Sequence, residues 1–482
     1  MVNQKPLFRA GNFRGTDFLL AGLLVLPLLF LSHEPGLLLL AAVIFALILY
    51  AFYAHTLPPV LLLTAFFQWF FYCAKLLVAL SRDKSVAEID YLSYTKPEII
   101  YLGLIATSFF LLGVYLSSRK IPVLSFREMR DFCLKIDLRK LLSIYVGVYA
   151  LLFIAGNLIW ILPGLSQPLF ILLLFRWSIF FLLFITVFFQ NRYKSVLVIL
   201  IVLDVLVSFI SFFSHFKEVI YFSFLAYWVF VFRSSVRSKL TAAALVLVTF
   251  VLGIYWTAIK KDYRDFLNRG TGNQVVLRSR TESYNKLVEL ASTIDKNKME
   301  RSFDELVERL SWVGAFDGVY KKVPAKVPFE DGALWMTGLT RPFMPRLLFP
   351  DKKSLADSKE LNKYSSLGVD EKNTSISLSM VAGSYVDFGP KGMHVALFLF
   401  GLFCGWVYRQ AITWGHHPVI GYGLTMPLIY LMQINEQSIN RMVSAMFLYF
   451  LVLWFVRRFL LTEFMAVIMP RPEKVVTITT KD

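Results

Sequence analysis

Charge and cysteine are scarce in this 482-residue chain. Only 17% of its residues are charged, against about 25% in an average soluble domain. Its three cysteines, Cys73, Cys133 and Cys404, carry neither a pairing pattern nor metal-ligand spacing. A disulfide scaffold and a thiolate metal module are therefore excluded. There is no Walker A sequence, no Gly-x-Gly-x-x-Gly after a strand, no His-Glu-x-x-His and no Cys-x-x-Cys pair. What is abundant is apolar: 57% of the residues are hydrophobic, with 46 Phe, 22 Tyr and 10 Trp. A water-soluble core does not need so much, so the composition reads as a polytopic membrane protein.

The net charge is +17. In a soluble chain such an excess would point to nucleic acid. In a membrane protein it reads as basic cytoplasmic loops, and no nucleic-acid partner is expected. The basic N-terminus and the apolar run after it lack a small-x-small cleavage site, which reads as a retained first helix.

A helix needs about 20 apolar residues to cross the hydrocarbon core. Stretches of that kind lie at 17–33, 36–54, 58–80, 98–117, 141–163, 168–190, 195–213, 218–232, 240–259, 391–409, 417–435 and 441–461. The expectation is an all-α fold with about 12 transmembrane helices. Arg9 and Arg14, the seven basic residues between Ser118 and Lys140, Arg192 and Lys194, Arg233 to Lys239, and Arg457 and Arg458 all fall on one side. That side is the cytoplasm, with both termini in it. Three parts follow: transmembrane helices over 1–258, an extracytoplasmic loop over 259–390, and transmembrane helices with a tail over 391–482. The loop should be partly helical. Phe303, Leu306, Leu310 and Val313 recur at helical spacing, with Asp304, Glu305, Glu308 and Arg309 on the other face.

Ionisable groups inside a span are costly unless they meet a cavity or a partner, so they are site candidates. Lys75 falls near the outer end of the third stretch, Arg176 in the outer half of the sixth and Asp204 near the middle of the seventh. Lys217 enters the eighth, and Glu436 and Arg441 flank the last outer turn. Lys75 and Lys217 can equally snorkel to the interface, and Arg176 and Asp204 can equally pair with each other. The loop adds Lys260, Lys261 and Arg264 directly after the ninth stretch, then Arg278 and Arg280. In the segment Arg341-Pro-Phe-Met-Pro-Arg346, prolines stiffen the backbone around two arginines. A guanidinium matches a phosphate or diphosphate in bidentate fashion. Together these cations suit an anionic ligand approached from outside. Lys321, Lys322, Lys326, Lys359, Lys363 and Lys372 read as solvated surface charge.

The long late loop, the Lys260-to-Arg264 cluster and the Arg341-to-Lys352 stretch resemble those of the Wzy-type O-antigen and exopolysaccharide repeat-unit polymerases. So does Ser384-Tyr-Val-Asp387-Phe-Gly389-Pro-Lys-Gly392, although Gly383 stands where an acidic residue is common. The resemblance covers the topology throughout and the motifs from Ile259 to Gly392. It implies a GT-C-like membrane glycosyltransferase of the bacterial cytoplasmic (inner) membrane. Such an enzyme moves a glycan from undecaprenyl diphosphate onto an incoming lipid-linked repeat unit, without metal or other cofactor. It also implies a chain-length regulator as a possible protein partner. The first loop, Ser32 to Pro35, holds no Asp-x-Asp pair, which argues against the metal-dependent dolichyl-phosphate enzymes.

On this reading Arg341, Arg346, Arg264, Lys260, Lys217, Arg176 and Arg280 bind the diphosphate. Asp387, Glu436 and His394 are the candidate bases, and Tyr385 and Trp335 could stack on sugars. An O-antigen ligase-like transferase, or a flippase of lipid-linked oligosaccharides, are the alternatives.

Overall fold

Proline and glycine set where the helices begin and break. Pro35, Pro97 and Pro418 sit in the first turn of their helices, where a missing N–H costs nothing. The computed structural model describes residues 26–54, 56–89, 96–161, 166–209, 216–231, 236–271, 276–344, 349, 352, 357–369, 376–433 and 437–469. Every regular element among them is helical.

The first group is α1 (Pro35–Phe52), α2 (Val60–Ser81) and α3 (Pro97–Ser118). The short helix α4 (Phe126–Leu134) opens with a capping box between Ser125 and Glu128. Next come α5 (Leu138–Ile161), α6 (Ser166–Leu174), α7 (Arg176–Gln190), α8 (Lys194–Phe209) and α9 (Phe216–Val231). Helix α10 (Val236–Leu267) runs beyond its apolar stretch and carries the Lys260-to-Arg264 cluster as two helical turns.

The long loop folds into α11 (Arg280–Ser292), α12 (Lys296–Leu310), α13 (Val313–Lys322) and α14 (Ala333–Thr340). A 3-10 turn (Arg341–Phe343) and α15 (Asp357–Tyr364) complete it. The chain ends with α16 (Met380–Thr413), α17 (Pro418–Leu424), α18 (Met426–Gln433), α19 (Ile439–Phe455), a π turn (Val456–Leu460) and α20 (Leu461–Ile468).

Among the described residues six helices are long and apolar enough to cross a membrane. They are Pro35–Phe52, Val60–Ser81, Pro97–Ser118, Leu169–Gln190, Met380–Thr413 and Ile439–Ile468. The all-helical class expected from composition is therefore present, and these six helices give the chain its membrane character. Most of the stretch expected at 17–33 lies outside the described residues.

The tightest packing joins α3 and α16. A Cβ on Gly401 would lie 2.0 Å from the Phe110 carbonyl oxygen, and one on Gly405 2.3 Å from that of Val114. On the facing helix, a Cβ on Gly113 would lie 2.2 Å from the Phe398 carbonyl oxygen. Glycines four apart let two backbones touch, the usual means by which helices associate in lipid, where no hydrophobic force pulls them together.

Helix α16 is itself broken. Gly389 adopts φ 66° and ψ −173°, and Pro390 follows. This left-handed extended conformation is open only to glycine. It separates an arm at 380–388 from the long helix at 390–413, which matches the stretch expected at 391–409. Sequence read the 380–388 arm as loop, yet Met380, Ala382, Ser384 and Val386 are fully buried.

The amphipathic helix expected around 303–313 is α12, ending at Leu310. Its apolar face packs on α10, with the Phe303 and Phe250 rings 6.2 Å apart. Its acidic face does not lie in water. Glu308 stands 3.0 Å from the buried Lys75 ammonium, and Asp304 pairs with Arg82. The Trp312 N–H, at the start of α13, donates to the Phe71 carbonyl at 3.1 Å. The long loop is thus bonded onto α2, and Lys75 is neutralised by it.

Replacing Gly401 by Leu should cut the yield of monodisperse protein in detergent severalfold, as read by size-exclusion chromatography. Gly147→Leu, with open space around its Cα, should leave that yield unchanged. Equal yields for the two variants would contradict the packing account.

Candidate functional site

Gly332 opens α14 at φ 92° and has no side chain with which to cap the helix. The cap comes from a distant residue. Asp387, 1% exposed, accepts the N–H of Leu334 at 3.2 Å and of Trp335 at 2.9 Å, one on each carboxylate oxygen. The positive end of the α14 dipole stabilises that buried charge. The Trp335 indole N–H donates to the Ser384 hydroxyl at 3.3 Å, and its ring lies 5.7 Å from that of Phe400. The 380–388 arm therefore fixes both the direction and the rotation of α14.

From there α14 descends onto α19. A Cβ on Gly338 would lie 2.8 Å from the Asn440 carbonyl oxygen, so the two backbones touch. The 3-10 turn after α14 packs against α19 with Arg341 buried at 9% exposure. Lys352 secures the turn by donating to the carbonyls of Arg341 and Met344, both at 2.7 Å.

Asn440 links this turn to α15. Its amide donates to both oxygens of Glu360, at 2.9 and 3.3 Å, and the Ser438 hydroxyl donates to its carbonyl oxygen. The next residue, Arg441, sets its Nε 3.0 Å from Asp357 Oδ1, one turn before Glu360. Burial pushes the Glu360 carboxyl up to about 6. The Asn440 hydrogen bond opposes that shift, and the charges of Asp357 and Asp387 add to it. Across α15, Lys363 and the Tyr364 hydroxyl donate to Glu330 at 2.7 and 2.8 Å. The Lys363 hydrogen bond holds Glu330 below the usual carboxylate range. The Glu330 N–H in turn donates to the Val386 carbonyl at 3.0 Å. Two guanidiniums, one amide and four carboxylates thus gather where α14, α15, α19 and the 380–388 arm meet.

Of the candidates read from sequence, the structure brings Arg341, Asp387 and Trp335 into this cluster. Asp387 acts there as a helix cap with both oxygens engaged. Tyr385 is 3% exposed; its hydroxyl donates to the Val323 carbonyl at 3.1 Å, and the rings of Phe316, Tyr320 and Phe329 enclose it. Its ring is packed within the protein. His394 lies on α16 with its ring edge-on to Phe109 at 5.0 Å, away from the carboxylate cluster.

Arg176 sits 3.7 Å from Asp204 and over the Trp177 ring, in the packing of α5, α7 and α8. Tyr149 also donates to Asp204, at 3.0 Å. Here the paired alternative is the one the structure has. Lys260 and Arg264 belong to the α10 extension, which packs with α9, α11 and α12, and Arg280 is exposed at the start of α11. Arg346 and Glu436 lie outside the described residues, as does the Lys217 side chain. Among the described residues no group of His, Cys, Asp or Glu could hold a metal ion.

Sequence reasoning missed Asp357, Glu360 and Asn440. The available signals were the i, i+3 spacing of the two acids and the polar run from Asn435 to Arg441 between apolar stretches.

A carboxyl whose folded-state value is raised contributes stability below its ordinary range and loses it as pH rises through about 6. Glu360→Gln should therefore be more stable than the native chain at pH 7.5, by roughly 2 kcal/mol at most, and nearly equal to it at pH 4.5. Thermal unfolding in detergent at the two pH values measures this; the same offset at both would contradict it.

No curated protein and no solved structure matches this chain. Residues 121–468, which include every member of the cluster, match the family model described as a domain of unknown function, DUF8712. The chain belongs to that DUF8712 family.

Proposed function

We propose that this protein is a metal-independent membrane glycosyltransferase of the bacterial cytoplasmic membrane. It polymerises undecaprenyl-diphosphate-linked oligosaccharide repeat units at the outer face. In this reading about 12 helices cross the membrane in a GT-C-like arrangement, both termini are cytoplasmic, and the 259–390 segment caps the outer side. The observation that carries the reading is Arg341: an arginine nine-tenths buried, on a turn that Lys352 secures and that packs against α19, the helix whose Asn440 holds Glu360.

The chemistry asks for such a pair. The acceptor hydroxyl of the incoming unit attacks the anomeric carbon of the growing glycan. A C–O bond forms there, and the bond to the diphosphate oxygen breaks with its electron pair. Arg341 meets the negative charge that develops on that oxygen, and in a desolvated setting this is commonly the largest catalytic contribution. Glu360 takes the hydroxyl proton. A carboxyl at about 6 is a better base near neutrality than an ordinary one, because it is ionised yet still holds a proton firmly. Arg441 and Asp357 position α15, and Trp335 offers a partly buried aromatic surface at the site.

Arg341→Ala should leave lipid-linked single units unpolymerised while the protein still inserts, with polymer formation down by about 10²–10³-fold. Glycan gels of cells carrying the variant, with immunoblots for its level, measure this. Polymer of normal length and amount would contradict the proposal.

A further inference from the structure

The segment that carries Arg341 lies in a loop, yet it runs along long apolar helices, from the first turn of α19 to its middle. Gly338 rests on the first turn of α19, within 3.0 Å of Val443 by its Cβ position, and the Phe343 ring lies 5.1 Å from that of Phe447. Asn440 and Phe447 are seven residues apart, so the chain travels about 10 Å down α19 between these contacts. The Trp335 ring lies 6.1 Å from that of Phe388, before the break in α16, and 5.7 Å from that of Phe400, on the long arm beyond it.

The surface that α14 turns away from the protein is apolar. Met336, Leu339 and Phe343 are 55%, 44% and 63% exposed, and they recur at i, i+3 and i+7 on one face. No charged residue occurs between Asp331 and Arg341, and Arg341 itself is buried. The two threonines on the helix hide their hydroxyls: Thr337 donates to the Ala333 carbonyl and Thr340 to that of Met336, both at 2.8 Å. Back-bonding of this kind removes the free polar groups that lipid cannot satisfy. In water, such a face on a loop would be an aggregation liability.

We infer that α14 and the Arg341–Phe343 turn form a re-entrant element. It is inserted beside α19, from the Ser438 end, among the acyl chains of that leaflet. The occupant of the Met336–Leu339–Phe343 face is bilayer hydrocarbon. The Arg341 cluster is then bordered by lipid on one side and opens sideways to the membrane. This inference does not depend on the proposed reaction.

Site-directed spin labelling of the full chain in phosphatidylethanolamine/phosphatidylglycerol nanodiscs tests it. Met336→Cys, Leu339→Cys and Phe343→Cys are labelled one at a time; the native cysteines are fully buried. Leu399→Cys, exposed on α16, is the lipid reference, and Arg280→Cys, exposed on α11, the water reference. All three labels should collide with oxygen severalfold more than with a water-soluble nickel chelate, as at Leu399, and Phe343 should read deeper than Met336. Should one variant fail to reconstitute, the other two report on the same face. Nickel accessibility like that at Arg280 would overturn the inference. So would spin–spin broadening between chains, which would mark the face as a contact with a second copy.

Discussion

The site depends on one buried carboxylate. Asp387 is removed from water, which would be costly for an unpaired charge, and it is stabilised by two N–H groups and the dipole of a helix that cannot cap itself. That bond sets where α14 starts. The direction of α14 sets where Arg341 meets α19, and α19 presents Asn440 to Glu360. The helix breaks at Gly389, two residues after Asp387, so the arm that holds α14 is set apart from the long helix at 390–413. Gly332 and Gly389, both at positive φ, therefore matter more to the site than most of the polar residues in the loop.

Charges near the apolar helices follow a common rule with different consequences. Lys75 has Glu308, Arg176 has Asp204, and Asp357 has Arg441. Removing one partner from a buried pair leaves an uncompensated charge, whereas the pair itself adds little net stability. These pairs locate elements: the first ties α12 to α2, the second α7 to α8, the third α15 to α19. The cluster around Arg341 differs in composition. A nearly buried arginine packs near the first turn of α19, and a neutral amide there, Asn440, holds the carboxylate of Glu360.

The all-helical class and six apolar helices long enough to span a membrane were legible in the sequence, because apolar length is a strong signal. Proline at a helix start and the 3.6-residue pattern in α12 were equally direct. The 380–388 arm was not legible, since its mixture of Gly, Ser, Tyr and Asp has no single buried stripe; residues 380–387 are all buried, and periodicity vanishes when all faces are covered. At the site, the flanking prolines drew attention to Arg341, which lies buried on a 3-10 turn. Asp387 was noticed for its position, but its helix cap depends on a tertiary contact 52 residues away in sequence. Glu360 was passed over because Lys359 and Lys363 surround it with the look of a solvated helix, and only the packing of Asn440 reveals which face is buried.

Purified protein supplied with a single lipid-linked oligosaccharide repeat unit, and nothing else, tests the central claim most directly. The account predicts a ladder of polymer from the native chain, none from Arg341→Ala, and loss of activity below about pH 6 as Glu360 gains its proton. Transport of the intact unit across the bilayer without a ladder, or a ladder that persists undiminished in Arg341→Ala, would contradict it.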